Sequence, residues 1–527
     1  MRELVVCLII VLSVILNLPV PAYGGVMEES KEIAQEFLNE TEITMSSINE
    51  SIDDPFVLYY LTQADQNYQL SEECLERKMY LCAMRLSIDS LTQSKVSEYI
   101  SRGNIRDRFN DIYFNAKDSL DSSNERRMLV KESPRDVSNL DLLLLADELN
   151  LFSRIQFYGA DDIFSLTSDQ VFVPKNYLVR GIEHSLATIY SSEVSSRMYG
   201  LCESGEGLPM ESIKYRMLSK VGEYLWEWEN WSQRNRNSEY VPLGDRIKSW
   251  SVQAMREGDY DFAFVFGEYL MLLMDLEDLS KGNLTLNEVR SELNEVKPKF
   301  LSSKFYCEMS NAYLSVVEKI KNEKSNEEYL KELLATSLSY LRECKRRDDF
   351  LNELRLLTLV NYVDPPSISE LKNFLSGREF LIVVGSKSAI TDLEKAKEIR
   401  EVFGGRIVDD SEVSEEEMKK YDLIIVGGPA ANRIAMKVNP VLRAYFLYEK
   451  LGETSKWVLR TPAGLYSMRE DSTIQIMRNP ENPSKILVLA AGITRVGTSN
   501  AVDYLLKGRE RSRGVILRGK SVVFVVY

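Results

Sequence analysis

"YDLIIVGGPAANRI", residues 421–434, runs a continuous apolar stretch into two glycines, a proline and an asparagine. Gly427 and Gly428 form either a phosphate cradle, the mark of an enzyme or receptor, or the tight turn that a strand-to-helix joint needs. The flanking pattern decides the fold. "EFLIVVG" (379–385) is a second short apolar run, followed by a helical pattern over about Thr391–Phe403 and a small strand, "GRIVD". Beyond the quoted stretch come a helix, then "KWVLRT", "STIQIMR" and "KILVLAAG" (485–492), a helix over about Thr498–Lys507, and the terminal "SVVFVVY". Continuous apolar strands alternating with amphipathic helices predict an α/β, Rossmann-like sheet domain over 378–527, covered on both faces.

Upstream the pattern changes period. From 26 to 362 prolines are widely spaced (Pro55, Pro134, Pro174, Pro209, Pro242, Pro298), leaving long segments that read as helices. In "SNEEYLKELLATSLSYLREC", Ser325 and Glu328 have capping-box spacing, and Leu330, Leu333, Leu334, Leu338 and Leu341 share one face. The preceding segment places Tyr306, Tyr313, Val316, Val317 and Ile320 on a stripe of its own, so the two helices are expected to fold back around Lys321–Ser325. Cys307 and Cys344 then lie at comparable distances from the turn and are a candidate disulfide. "AMREGDYDFAF" (254–264) carries Ala254, Gly258, Tyr260 and Ala263 at the inter-helix spacing of tetratricopeptide-like hairpins. "CLERKMYLCAM" (74–84) repeats those offsets with Cys74, Lys78, Tyr80 and Ala83, which makes Cys74–Cys82 a second candidate pair and leaves Cys202 over. The expectation for 26–362 is an all-α array of helical hairpins, with 363–377 ("VDPPSISELKNFLSG") as a linker.

At 527 residues and a formal charge of −15 the chain is long enough for several cores and carries no basic stripe, which argues against nucleic acid. A single histidine, His184, excludes His-cluster metal sites, and no cofactor is expected. Residues 1–25 read as a signal peptide: Arg2, an apolar run to about Leu18, Pro19 and Pro21, then small residues around Gly24. An uncleaved anchor is the alternative, and either way the rest is expected to be extracellular. Asn39, Asn49, Asn230 and Asn283 head N-x-[ST] sequons that become glycosylation candidates on export.

The downstream motifs also carry a resemblance. Gly427-Gly428-Pro429 with Asn432, Asn479-Pro480 and Asn482-Pro483 with Lys485, and Gly492 with Arg495, Gly497, Thr498 and Ala501 occur in one order. In that order they resemble the C-terminal domain of archaeal surface-layer proteins, over roughly 377–527. The resemblance implies an archaeal, envelope-associated protein. Its partners would be surface-layer or other envelope proteins, or a second copy. True surface-layer subunits have large β-rich regions where this chain reads helical, so an accessory protein is expected rather than the lattice subunit.

The loops after the strands, 385–389, 427–432 and 492–498, gather at one sheet edge if the strands are parallel. Gly427, Gly428, Asn432, Arg495 and Thr498 are then ligand-binding candidates. Neither GxGxxG nor a P-loop is present. Pro429 suits a helix's first turn, and Asn432 and Thr498 suit local caps, so the structural reading is preferred. Tyr224, Trp228 and Trp231 of "YLWEWENW" share a helical face and read as core, and His184 reads as structural. The expected function is that of a non-enzymatic, exported envelope protein: the helical array binds a partner and the C-terminal domain docks to the surface layer. The alternative is a small-ligand receptor or enzyme using the strand-end crevice.

Overall fold

The structure, a computed structural model, describes residues 23–48, 53–130, 136–168, 170, 172–202, 210–321, 327–357, 362–451, 454–461 and 464–526. The expected signal sequence up to Ala22, Asn49 and the capping residue Ser325 lie outside them. The chain divides into two compact units, one of residues up to Gly207 with Lys220–Arg355, the other of Leu208–Ser219 with Leu356–Tyr527. The boundaries therefore differ from the expected 26–362 and 378–527.

The first unit is helical: α1 Gly24–Ser47, α2 Pro55–Glu76, α3 Tyr80–Ser101, α4 Ile105–Val130, α5 Val137–Thr167, α6 Lys175–Gly200, α7 Met210–Arg234, α8 Tyr240–Arg256, α9 Tyr260–Ser280, α10 Leu286–Glu295, α11 Leu301–Ile320 and α12 Glu327–Leu357. The first turns of α7, through Ser219, belong to the second unit. The stripe leucines 333, 334, 338 and 341 are buried in a core shared with Tyr306 and Val317, as the period requires. Cys307 of α11 and Cys344 of α12 are disulfide-bonded, with Cα atoms 5.5 Å apart.

The α2–α3 and α8–α9 turns are the same object. Lys78 and Gly258 occupy equivalent left-handed positions (φ 60° and 76°). The next residue closes each turn, Met79 N–H on the Cys74 carbonyl and Asp259 N–H on the Ala254 carbonyl, both at 2.8 Å. One turn before each break, a buried serine donates across the hairpin: Ser71 Oγ to Ala83 O (2.8 Å) and Ser251 Oγ to Ala263 O (3.0 Å). A small residue at 83 and 263 lets the helices approach closely enough for that bond. Lys78 holds its conformation without glycine's freedom, at a local cost of about 1 kcal/mol.

Among the carboxyls that burial shifts upward in this unit, Glu148 and Glu308 reach neutrality. Burial pushes Glu148 up to about 7 against the opposing charge of Arg347. Burial does the same to Glu308, which also reaches about 7 although the Cys82 N–H and Lys304 favour its anion. A carboxyl that holds its proton more tightly folded than unfolded contributes stability that is complete below about 4.5 and is lost as pH rises through about 7. The midpoint of chemical denaturation should therefore fall from about pH 5 to about pH 8, and Glu148→Gln should flatten that slope.

The second unit holds α13 Leu371–Leu375, β1 Phe380–Val384, α14 Ile390–Phe403, β2 Arg406–Asp409, α15 Glu415–Lys420, β3 Asp422–Val426, α16 Arg433–Val438, β4 Tyr445–Leu451, β5 Thr454–Thr461, β6 Gly464–Tyr466, β7 Asp471–Asn479, β8 Asn482–Gly492, α17 Arg495–Lys507, β9 Gly514–Arg518 and β10 Ser521–Val525. Its main sheet has seven strands in the order β10-β9-β7-β8-β3-β1-β2. β2, β1, β3 and β8 run parallel, whereas β7, β9 and β10 join antiparallel, so the sheet is mixed. Alternate residues feed two cores: Leu381, Val383, Leu423 and Ile425 on one face, Phe380, Ile382, Val384, Ile424 and Val426 on the other. That explains why these strands read as unbroken apolar runs.

Four expectations are corrected. "KWVLRT" belongs to a separate antiparallel sheet, β4-β5-β6. Residues 363–377 are not a free linker, because Val363, Ile368 and Ser369 donate to Pro483, Ser512 and Glu510 carbonyls, and Ile368, Leu371 and Leu375 are buried on the sheet. Pro429 lies in a turn ahead of α16, which starts at Arg433 with Asn432 as N-cap. Thr498 does not cap α17, which starts at Arg495 behind Thr494.

The Asn-Pro motif has a clear local role at the β7–β8 hairpin. Asn479 accepts from Glu481 N–H and donates to the Met418 carbonyl, while Asn482 accepts from Ser484 N–H and donates to Lys419 O. Two asparagine side chains thereby tie the hairpin to the end of α15.

Candidate functional site

Because β1, β3 and β8 are parallel neighbours, their carboxyl ends bring the three glycine-containing loops together, as expected. The loops touch through backbone. A Cβ on Gly385 would lie 2.8 Å from the Asn432 Cα, and one on Gly428 would lie 3.1 Å from the Gly492 carbonyl oxygen. Gly427 has φ 99° and leads the chain out of β3 in a conformation that disfavours other residues.

Asn432 is 1 % exposed, and its amide is fully engaged. Its Oδ1 accepts from Ile434 and Ala435 N–H (3.0 and 3.1 Å), while Nδ2 donates to Val383 and Val426 carbonyls at the ends of β1 and β3 (3.3 and 3.2 Å). One side chain both caps α16 and staples two strands. Thr498 is buried, and its Oγ1 accepts from Gly492 N–H (3.1 Å), fixing the end of β8 against α17. Arg495 is solvent-exposed, and its side chain makes no hydrogen bond or ion pair with any described residue.

An anion-binding arrangement does exist at this edge, and the protein's own carboxylate occupies it. Asp410, just past β2 and 1 % exposed, accepts the Ser386 N–H of the β1 loop (2.8 Å) and the Arg433 N–H that opens α16 (2.6 Å). The Arg433 guanidinium closes over the same loop, donating to the carbonyls of Asp410, Ser411 and Val413. Free N–H groups at a strand end and a helix start suit a phosphate or sulfate oxygen; here they hold an aspartate. On the other side of Gly427, Asp392 is buried beside Ser388. Burial holds its pKa above the usual carboxylate range, with Ser388 acting against that, and its Oδ1 has no hydrogen-bond partner among the described residues.

Elsewhere the candidates resolve into packing. His184 donates its Nδ1–H to Gln156 Oε1 (2.7 Å), and burial lowers its pKa. Tyr224, Trp228 and Trp231 are buried and Trp226 is exposed, as the helical face predicts. The Cys74 and Cys82 sulfurs lie 2.7 Å apart as thiols, not a bond. Burial, then Cys74, then Glu308 push the Cys82 thiol up. Asn39 and Asn283 are exposed and Asn230 is half-buried. Among the described residues there is no cluster of three or more metal-ligating side chains, and no helix is long and apolar enough to cross a membrane.

Asp410 and Arg433 were missed in the sequence. The only signal is the paired aspartate of "RIVDDSE" at a strand end, which in so acidic a chain carries little information. No protein-family model, curated protein or solved structure matches this chain.

Proposed function

We propose that the chain is an exported, non-enzymatic envelope protein related to archaeal surface-layer proteins. Its tetratricopeptide-like helical array is an interaction surface, and its Rossmann-like C-terminal domain docks to the surface layer or to a like domain of another copy. The observation that carries the non-enzymatic reading is the occupancy of the strand-end crevice: Asp410 takes the N–H groups a ligand anion would need, and Asn432 and Thr498 are engaged with backbone. A receptor built on Gly427, Gly428, Asn432 and Arg495 would have to displace that carboxylate. The Cys307–Cys344 disulfide suits an oxidising compartment and supports export.

Co-sedimentation of the full chain with purified archaeal envelopes, intact or stripped of their surface layer, tests the docking. Pelleting is expected with intact envelopes only. Recovery in the supernatant with both preparations, or equal pelleting with both, overturns it.

A further inference from the structure

The repeated α8–α9 turn roofs a cleft of about 190 Å³ within the helical unit. Its floor and walls are Asn124 of α4, Arg154 of α5, Trp250 of α8, and Phe262 and Phe266 of α9, with Glu257 at the rim. At ~30 Å³ per water that is room for roughly six waters, or one small ring with a substituent.

The charges inside are unequal. Arg127, at the base, is fully matched: its guanidinium bonds both oxygens of Asp147 (2.6 and 3.0 Å) and both of Asp259 (2.5 and 2.7 Å). Arg154 beside it donates only to neutral amides, Nε to Asn150 Oδ1 (3.0 Å) and Nη2 to Asn124 Oδ1 (2.6 Å), and forms no ion pair with a described residue. Burial lowers its pKa, a mark of a cation without its counterion. The two guanidiniums lie 4.4 and 4.6 Å from the Phe262 ring centre, which holds both against an aromatic face. Phe262 and Phe266 are stacked at 4.4 Å, and Trp250 is tilted 46° to Phe266 at 6.0 Å. The walls are therefore flat π-surfaces, and of the two guanidiniums inside, that of Arg154 has no ion-pair partner among the described residues.

We propose that this cleft binds a small aromatic monocarboxylate, its ring on Trp250 and Phe266 and its carboxylate on Arg154. A carboxylate supplies the charge-assisted bond that Arg154 lacks. A dianion is disfavoured because Glu257, exposed at the mouth and bonded by Gln253, adds a second negative charge beside the entrance. The site is independent of the envelope docking proposed above, and it makes the helical unit a receptor for a small molecule as well as a surface for protein.

Calorimetric titration of the full chain with benzoate, benzamide and phenylphosphonate at matched ionic strength tests it. Saturable benzoate binding is expected, with benzamide and phenylphosphonate at least about tenfold weaker, and Arg154→Gln should weaken benzoate by at least about tenfold. Glu257→Gln, at an exposed position, should narrow the gap between phenylphosphonate and benzoate, and it decides the matter if Arg154→Gln does not fold. No binding of any probe, benzamide as tight as benzoate, an unchanged Arg154→Gln, or an unchanged gap in Glu257→Gln each overturns the proposal.

Discussion

Replacing Arg347 by methionine should lower the stability of the helical unit by about 3–5 kcal/mol, the usual result of leaving a buried charge without its partner. Arg347 is fully buried. Its Nε donates to Glu268 Oε1 at 2.8 Å and its Nη2 pairs with Glu268 Oε2, while Glu148 Oε2 stands 3.7 Å away. The guanidinium also lies over the rings of Tyr306 and Phe264. Methionine fills much of the volume but leaves Glu268, wholly buried, to be neutralised by a proton. The deficit should therefore shrink as the pH is lowered, because the stranded carboxyl then titrates at less cost. Adding Glu268→Leu should recover most of the loss, since a matched apolar pair removes both desolvation penalties at once. Denaturation curves of the single and double variants at two pH values read all three effects. A single variant as stable as the parent, or a double variant no better than the single, would sink this account of the core.

This network shows where sequence reading stops. Leu333, Leu338 and Leu341 announce themselves because the helical period repeats in one segment. Charges at 148, 268 and 347 sit on three different helices, and on each of them an acidic or basic residue reads as part of a solvated face. The same limit applies to the second unit. β1, β3 and β8 were legible because strands buried on both faces leave unbroken apolar runs. β9, "GVILR", was not, since the charged segment "KGRERSR" before it masks its start. The start of α17 at Arg495 is not legible because Thr494 and Thr498 both fit a local cap pattern; in the structure neither side chain caps the helix, Thr494 Oγ1 donating to the Arg469 carbonyl and Thr498 Oγ1 accepting the Gly492 N–H. The turn shared by α2–α3 and α8–α9 was legible in outline, through Tyr80, Ala83 and their counterparts. The serine bond that fixes it came from positions outside that motif. For the candidate site, Asn432 was recognised as a local cap but its two bonds to strand carbonyls were not, and Asp410 went unnoticed.

The second large effect is expected at Asp410. Asp410→Ala should destabilise the sheet unit by about 3 kcal/mol, because two N–H donors, those of Ser386 and Arg433, lose a shared charged acceptor in a place water reaches poorly. Asp410→Asn keeps one carbonyl oxygen and should fall between, because it can satisfy one of the two donors and offers an NH₂ to the other. The more informative consequence concerns anions. If the aspartate is an internal substitute for a bound oxyanion, its removal leaves the Ser386 and Arg433 N–H groups facing a vacated position. Sulfate should then raise the thermal midpoint of Asp410→Ala by more than it raises that of the parent, when both are compared with chloride at equal ionic strength. The parent corrects for the general salting effect of sulfate, which acts on any compact state. An equal rise in both proteins would mean that the loops close up without the carboxylate, and that the crevice is only a joint. A larger rise in the variant would identify the strand-end edge as an anion site whose ligand has been built into the chain, and would explain how a loop with two glycines can look like a phosphate cradle while the domain needs no phosphate.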